Sequence, residues 1–146
     1  MEDAKKVSEK FSVAGQLTPE DLKQASQAGF KSVLNLRSSS EANSLPDEQQ
    51  QAEAVGLEYA NVPLQPSVAE ESSVSKALEQ LEALPKPVLI HCGAGLRAGA
   101  IAMIATAKEQ NWTLEQLTEK ATEIGLNLNQ AHIQQFIQET YRDQDR

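Results

Sequence analysis

The run from Val88 to Ala107 constrains the fold more than any other part of the chain. Val88, Leu89 and Ile90 form a short apolar, β-branched run after Pro85 and Pro87, which predicts a buried strand. Ala98 to Ala107 are small or apolar with no Gly or Pro after Gly99, which predicts a buried helix. Between them stand Cys92, the only cysteine, the loop residues Gly93, Ala94, Gly95 and Leu96, and then Arg97. The order is strand, cysteine, glycine-rich turn, arginine, helix. Such a turn aims several backbone N–H groups and a helix N-terminus at one point. Arg97 adds a planar fork that matches tetrahedral oxyanions, and Cys92 sits at the lip, where the same dipoles favour its thiolate. A thiolate beneath a bound oxyanion suits nucleophilic transfer of phosphorus or sulfur. A lone cysteine at a strand end is otherwise a buried structural thiol. Here His91, two loop glycines, Arg97 and a helix start stand beside it and favour the reactive reading.

The rest of the chain alternates strands and helices. Phe11–Ala14 reads as a short edge strand. Thr18 is an N-cap, with Pro19 at the first helical position and Asp21 completing a capping box, for a helix that runs to about Ala28 and stops at Gly29. Lys31–Leu36 is a buried strand. Ser38–Ser44 is a polar loop. A helix from Pro46 to about Gly56 carries Ala52 and Val55 inward, and Leu57–Val62 is the next strand. A helix runs from residue 67 or 68 to Leu84, with Val74, Ala77, Leu78, Leu81 and Leu84 at helical spacing. After the central run, Thr113 caps a helix with Leu114, Leu117, Ala121 and Ile124 on one face. A last helix spans Asn129 to about Tyr141 with Ile133, Phe136 and Ile137 inward. The expected architecture is a single α/β domain over residues 1–146, with residues 1–9 and 142–146 loose. Its core is a central, mainly parallel sheet of four or five strands with helices on both faces.

In open α/β sheets ligands bind beyond the carboxyl ends of the strands. That rule groups the loops beginning at Arg37, Pro63 and Cys92, so Arg37, Gln65 and Cys92 to Arg97 are expected neighbours. Arg37 has two readings, contact with an anionic substrate or a salt bridge to Glu41. His91 orients the loop and supports the ionised thiol, or is a core histidine bonded to backbone; the readings are compatible. Arg97 in the first turn of a helix opposes the helix dipole, which makes sense if an anion lies between. Glu70 and Glu71 decorate a helix N-terminus, and either is a candidate general acid. Trp112 reads as a cap on the core. No metal-ligand spacing joins His91, Cys92 and His132, so no metal or other cofactor is expected. A formal net charge of -8 argues against nucleic acid or an anionic membrane as partner, and leaves affinity for a small anionic or phosphorylated substrate to local groups. One cysteine excludes an intrachain disulfide and fits a reducing cytosol. With no apolar stretch of signal length after Met1, a cytoplasmic location is expected.

His91-Cys92-x-x-Gly95-x-Arg97-Ala98-Gly99 after a strand resembles the signature loop of cysteine-dependent protein tyrosine and dual-specificity phosphatases. Phe30 to Arg37, ending Asn35-Leu36-Arg37, and Gly56 to Tyr59 followed by Val62-Pro63-Leu64, are similar to the corresponding strands and acid loop of the small atypical members. The chain resembles most the bacterial phosphatase-like domain that also occurs fused to β-lactamase-like hydrolases, over about Phe11 to Lys108. The resemblance implies a phosphotyrosine-phosphatase-like fold and hydrolysis of phosphate monoesters, aryl phosphate or phosphotyrosine-like, through a phosphocysteine. It implies Cys92 as nucleophile and Arg97 as clamp, with the backbone of Gly93, Ala94, Gly95 and Leu96 as cradle. The sequence departs from the phosphatase pattern at three places. Four residues, not five, separate Cys92 from Arg97, a loop length similar to rhodanese-type sulfurtransferases, so a Cys92 persulfide is the alternative chemistry. Ala98 stands where Ser or Thr is usual, and no Asp lies near Gln65. A non-catalytic module binding an oxyanion or a phosphorylated partner is the third reading.

Overall fold

The computed structural model describes residues 4–37, 47–64, 71–92, 96–126, 128, 134, 137, 138 and 141; for 71–73 and 96 it describes the backbone only. In chain order the elements are β1 (Lys5–Lys6), β2 (Phe11–Ala14), α1 (Pro19–Gln27), β3 (Ser32–Asn35), α2 (Glu48–Ala54), β4 (Glu58–Asn61), α3 (Glu71–Ala83), β5 (Val88–His91), α4 (Leu96–Gln110) and α5 (Leu114–Ile124). The strands form one sheet in the order β1-β2-β5-β3-β4. Only β1 runs antiparallel; β2, β5, β3 and β4 are parallel neighbours. This is the α/β architecture expected from the sequence, with β5 at its centre.

The apolar alternation along the strands divides the core. Phe11, Val13, Leu34, Val88 and Ile90 join Ala77 and Leu81 of α3, Ile101 and Met103 of α4 and Leu117 of α5 in one buried cluster. Val33 and Leu89 face the other way, into a cluster with Leu22 and Ala25 of α1 and Ala52 of α2. Each Val, Leu, Ile, Phe or Met side chain buried completely contributes about 1.5–3 kcal/mol. The helix starts follow from local chemistry. Thr18 and Thr113 each close a capping box, with Asp21 and Gln116 as the reciprocal partners. Gly29, at φ +100°, turns the chain out of α1 and into β3.

Several expectations need correction. Residues 1–9 are not all loose: Lys5 and Lys6 pair with Val13 and Ser12, so β1, not β2, is the sheet edge. Two lysines on an edge strand discourage further strand pairing. Leu114 is 44% exposed and not part of the inner face of α5, which is carried by Leu117 and Ala121. Glu48 joins Ala52 on the buried face of α2, while Val55, the C-cap, is partly buried against the same cluster. The last predicted helix lies mostly outside the described residues; Ile137 is buried there, while Ile133, Phe136 and residues 142–146 are not described. Among the described residues no helix is long and apolar enough to cross a membrane.

Candidate active site

The parallel register lines up Ala14, His91, Asn35 and Asn61 in one row across the carboxyl ends of β2, β5, β3 and β4. The residues just beyond that row are Gln16, Cys92, Arg37 and Leu64. Cys92 leaves the end of β5 with its amide bonded to the carbonyl of Ala14 at 3.2 Å. Its side chain is 1% exposed. The backbone N–H of Ala98, in the first turn of α4, donates to Cys92 Sγ at 3.5 Å. The cysteine therefore lies at the N-terminal end of a helix.

Arg97 holds the surrounding strand ends together. Its Nη1 donates to the carbonyl of Leu36 beyond β3 at 3.3 Å and to that of Leu64 beyond β4 at 3.2 Å. One guanidinium nitrogen thus ties two strand ends to the first turn of α4, consistent with the expected clustering of the three loops. Gly93, Ala94 and Gly95 lie outside the described residues, and of Leu96 only the backbone is described, as the first residue of α4. Gln65 and Glu70 also lie outside them, and of Glu71 only the backbone is described, at the start of α3.

Arg37 is 7% exposed and its Nη1 donates to Gln16 Oε1 at 2.6 Å. Its amide is bonded by Asn35 Oδ1 and its carbonyl accepts from Asn61 Nδ2, both at 2.8 Å. Glu41, the other expected partner, lies outside the described residues. His91 is fully buried, and its described hydrogen bond goes to a side chain and not to backbone. Its partner is Glu48 of α2, with Nε2 and Oε2 separated by 2.5 Å. Glu48 is itself 3% exposed, and its carboxylate also accepts from Tyr59 Oη at 2.8 Å and from Gln16 Nε2 at 2.9 Å. Burial pushes the Glu48 carboxyl up, but the hydrogen bond and charge of His91, with Tyr59 and Gln16, outweigh it and hold it below the ordinary range. Burial and the adjacent Glu48 anion push the Tyr59 hydroxyl well above the usual phenol value.

This buried network, running from His91 through Glu48 and Gln16 to Arg37, did not emerge from motif reading. A signal was available. Glu48 stands four residues before Ala52, so a charged side chain shares the one apolar stripe of α2. Trp112 is partly buried against the core, and its carbonyl accepts from Tyr141 Oη at 3.0 Å.

The family described as "Beta-lactamase hydrolase-like protein, phosphatase-like domain" matches residues 3–109, the span that carries β1 to α4 and hence Cys92 and Arg97. The chain belongs to this family. A beta-lactamase hydrolase-like protein of Agrobacterium fabrum is 28% identical to this phosphatase-like domain over 107 residues, 71% of the chain. The alignment covers 25% of that relative, so the chain spans about a quarter of its length. A DUF442 protein from Shewanella putrefaciens CN-32 superposes with a TM-score of 0.79 at 22% identity, covering 97% of this chain and 90% of the other. TpbA of P. aeruginosa, solved with phosphotyrosine, superposes with a TM-score of 0.65 at 17% identity, covering 81% and 70%. At these identities the likeness is one of fold, and the fold of the phosphatase-like domain is that of the protein tyrosine phosphatases.

Proposed function

We propose that this domain hydrolyses phosphate monoesters through a phosphocysteine on Cys92. The observation that carries the reading is the placement of Cys92 Sγ beneath the Ala98 amide at the start of α4, with Arg97 in the same turn. Cys92 Sγ attacks phosphorus and the bond to the leaving oxygen breaks, its electron pair passing to that oxygen. Water then attacks phosphorus, the P–S bond breaks, and inorganic phosphate and the thiolate are released. Arg97 and the backbone N–H groups of the loop stabilise the charge on the equatorial oxygens. With Ala98 in place of a hydroxyl residue, the backbone N–H of Ala98 is the donor that steadies the departing thiolate.

The leaving oxygen needs a proton unless it is intrinsically stable as an anion. No Asp or Glu occurs from Asn61 to Ala69, so the substrates favoured are aryl esters, phosphotyrosine-like in chemistry, whose phenolates leave readily. The phosphotyrosine held by the P. aeruginosa relative is a ligand of that class. Glu70 and Glu71 remain the candidate acids, and Arg37 the candidate second contact to the substrate.

The test is a paired assay on wild type and Cys92→Ser: release of p-nitrophenol from p-nitrophenyl phosphate, and sulfur transfer from thiosulfate to cyanide. Cys92-dependent phosphate release without thiocyanate is the expected result. Cys92-dependent thiocyanate alone would replace the reading with sulfur transfer through a persulfide. Tight oxyanion binding with neither turnover would make the domain a binding module.

A further inference from the structure

We propose that Glu48 is a positioning residue for the Cys92 loop, acting through His91; the proposal rests on Cys92 being the reactive group of this domain. His91 is the last residue of β5, and Cys92 follows it directly. Whatever fixes the His91 ring fixes the root of the loop. The ring lies on the face of the sheet opposite the α4 side, since Ile90 packs with α4 and its neighbours Leu89 and His91 point the other way. There it meets α2, an element that supplies no residue to the loop itself.

The chemistry of the contact is specific. Glu48 is ionised at neutral pH and accepts from Tyr59 and Gln16 as well as from the ring. A carboxylate has no proton to give, so His91 Nε2 must carry the hydrogen. That places a hydrogen on Nε2 whether the ring is neutral or charged, and leaves Nδ1 as the ring's second polar atom. Nδ1 is buried and has no hydrogen-bond partner among the described residues. A core histidine kept only for packing would not need an ionised carboxylate delivered from another helix. The carboxylate is itself locked from two further sides, by β4 through Tyr59 and by the turn after β2 through Gln16. Tyr59 is held in turn by Asn35 Nδ2 at 2.8 Å, and Gln16 also receives Arg37. The ring is therefore held by one carboxylate that groups from two further segments fix in place, and its orientation is set before any substrate arrives.

The experiment compares wild type, Glu48→Gln and Tyr59→Phe by three readouts. The first is steady-state hydrolysis of p-nitrophenyl phosphate, the second the rate of Cys92 alkylation by iodoacetamide, and the third the side-chain 15N resonances of His91. The chain has two histidines, so His91 is assigned by difference with His132. Glu48→Gln keeps the volume and removes the ionised acceptor. The expected result is a fall in kcat of about 10- to 100-fold, typical of a displaced reacting group, with KM changed far less. Slower Cys92 alkylation and a shifted His91 Nε2 resonance should accompany it. Tyr59→Phe, which removes one of the three donors to Glu48, should move all three readouts in the same direction by less. Unchanged kcat and alkylation in folded Glu48→Gln would overturn the proposal. So would a fall in melting temperature with the His91 resonances unmoved, which is the signature of a packing role alone. If Glu48→Gln fails to fold, Tyr59→Phe decides by the same criteria. Absence of phosphatase turnover in wild type, with alkylation still slowed by Glu48→Gln, would retire the phosphatase reading and leave the positioning role standing.

Discussion

The amide of Ala98 donates to the sulfur of Cys92 across 3.5 Å, joining the end of the central strand to the first turn of the helix that follows it. Both residues are fully enclosed, with Ala98 at 0% and Cys92 at 1% exposure. A sulfur held this way faces the first turn of α4 and not solvent.

Arg97 uses a single nitrogen to reach two carbonyls, those of Leu36 and Leu64. A lysine ammonium can match one of these contacts but cannot present a planar fork at the same time. Arg97→Lys should lower kcat for p-nitrophenyl phosphate about 10²- to 10³-fold, the usual cost of removing a donor aimed at developing charge. Steady-state kinetics on a variant with an unchanged circular dichroism spectrum checks it, and full activity would remove Arg97 from the mechanism.

The stretch from Asn61 to Ala69 carries no acid. Turnover should depend steeply on the leaving group. An alkyl phosphate should be hydrolysed at least about 10²-fold more slowly than p-nitrophenyl phosphate, the lower end of what a general acid contributes. A series of substituted phenyl phosphates measures this. A flat dependence would mean that a proton donor serves the leaving oxygen, and Glu70→Gln and Glu71→Gln would then locate it.

The Glu48 carboxyl titrates below its ordinary value of 4.5 in the folded protein, because His91, Tyr59 and Gln16 outweigh its burial. The unfolded chain therefore takes up the proton first as pH falls. The stabilisation is fully present above about pH 4.5 and is lost as pH drops through the folded value. Tyr59 behaves in the opposite sense. Its hydroxyl is pushed up from 10.0, so its contribution is present below pH 10 and fades as pH rises toward the folded value. Urea midpoints across pH should fall at both ends. Tyr59→Phe should flatten part of the alkaline limb, the remainder belonging in part to Tyr141, which burial shifts the same way.

Gly125 ends α5 in the left-handed conformation, at φ +83°, with its amide bonded to Ala121 and Thr122. An added Cβ would meet Lys5 Nζ at 3.4 Å, an ordinary contact, so the cost of Gly125→Ala is conformational. It should lower stability by about 1 kcal/mol, read from chemical denaturation, with phosphatase activity unchanged.

The sequence made the elements around the candidate site more legible than the side chains that support them. The β-branched run before Cys92 and the apolar stretch beyond Arg97 are local signals, and the strand and the helix form where they predict. Thr18 and Thr113 likewise announce the starts of α1 and α5. What escaped depends on side chains distant in sequence. Glu48 lies in a polar run with Gln49, Gln50 and Gln51, where one inward-facing carboxylate looks like its exposed neighbours. Its burial is decided by His91, 43 positions away. Gln16 sits in a turn with no period to mark it, and joins Arg37 to Glu48 only because β2 and β3 flank β5. The pairing of Lys5 and Lys6 with β2 carries no apolar pattern at all. Leu114 shows the converse, an apolar residue at the right spacing that falls at the first turn of α5, beyond the edge of the core.

The central claim is a covalent intermediate on Cys92, and acid quenching during turnover tests it most directly. Wild-type protein mixed with excess p-nitrophenyl phosphate, quenched and digested, should yield the Cys92 peptide carrying one phosphoryl group by mass spectrometry. Cys92→Ser should give neither the modified peptide nor turnover. Sustained phosphate release with the Cys92 peptide unmodified, or turnover that survives in Cys92→Ser, would contradict the account.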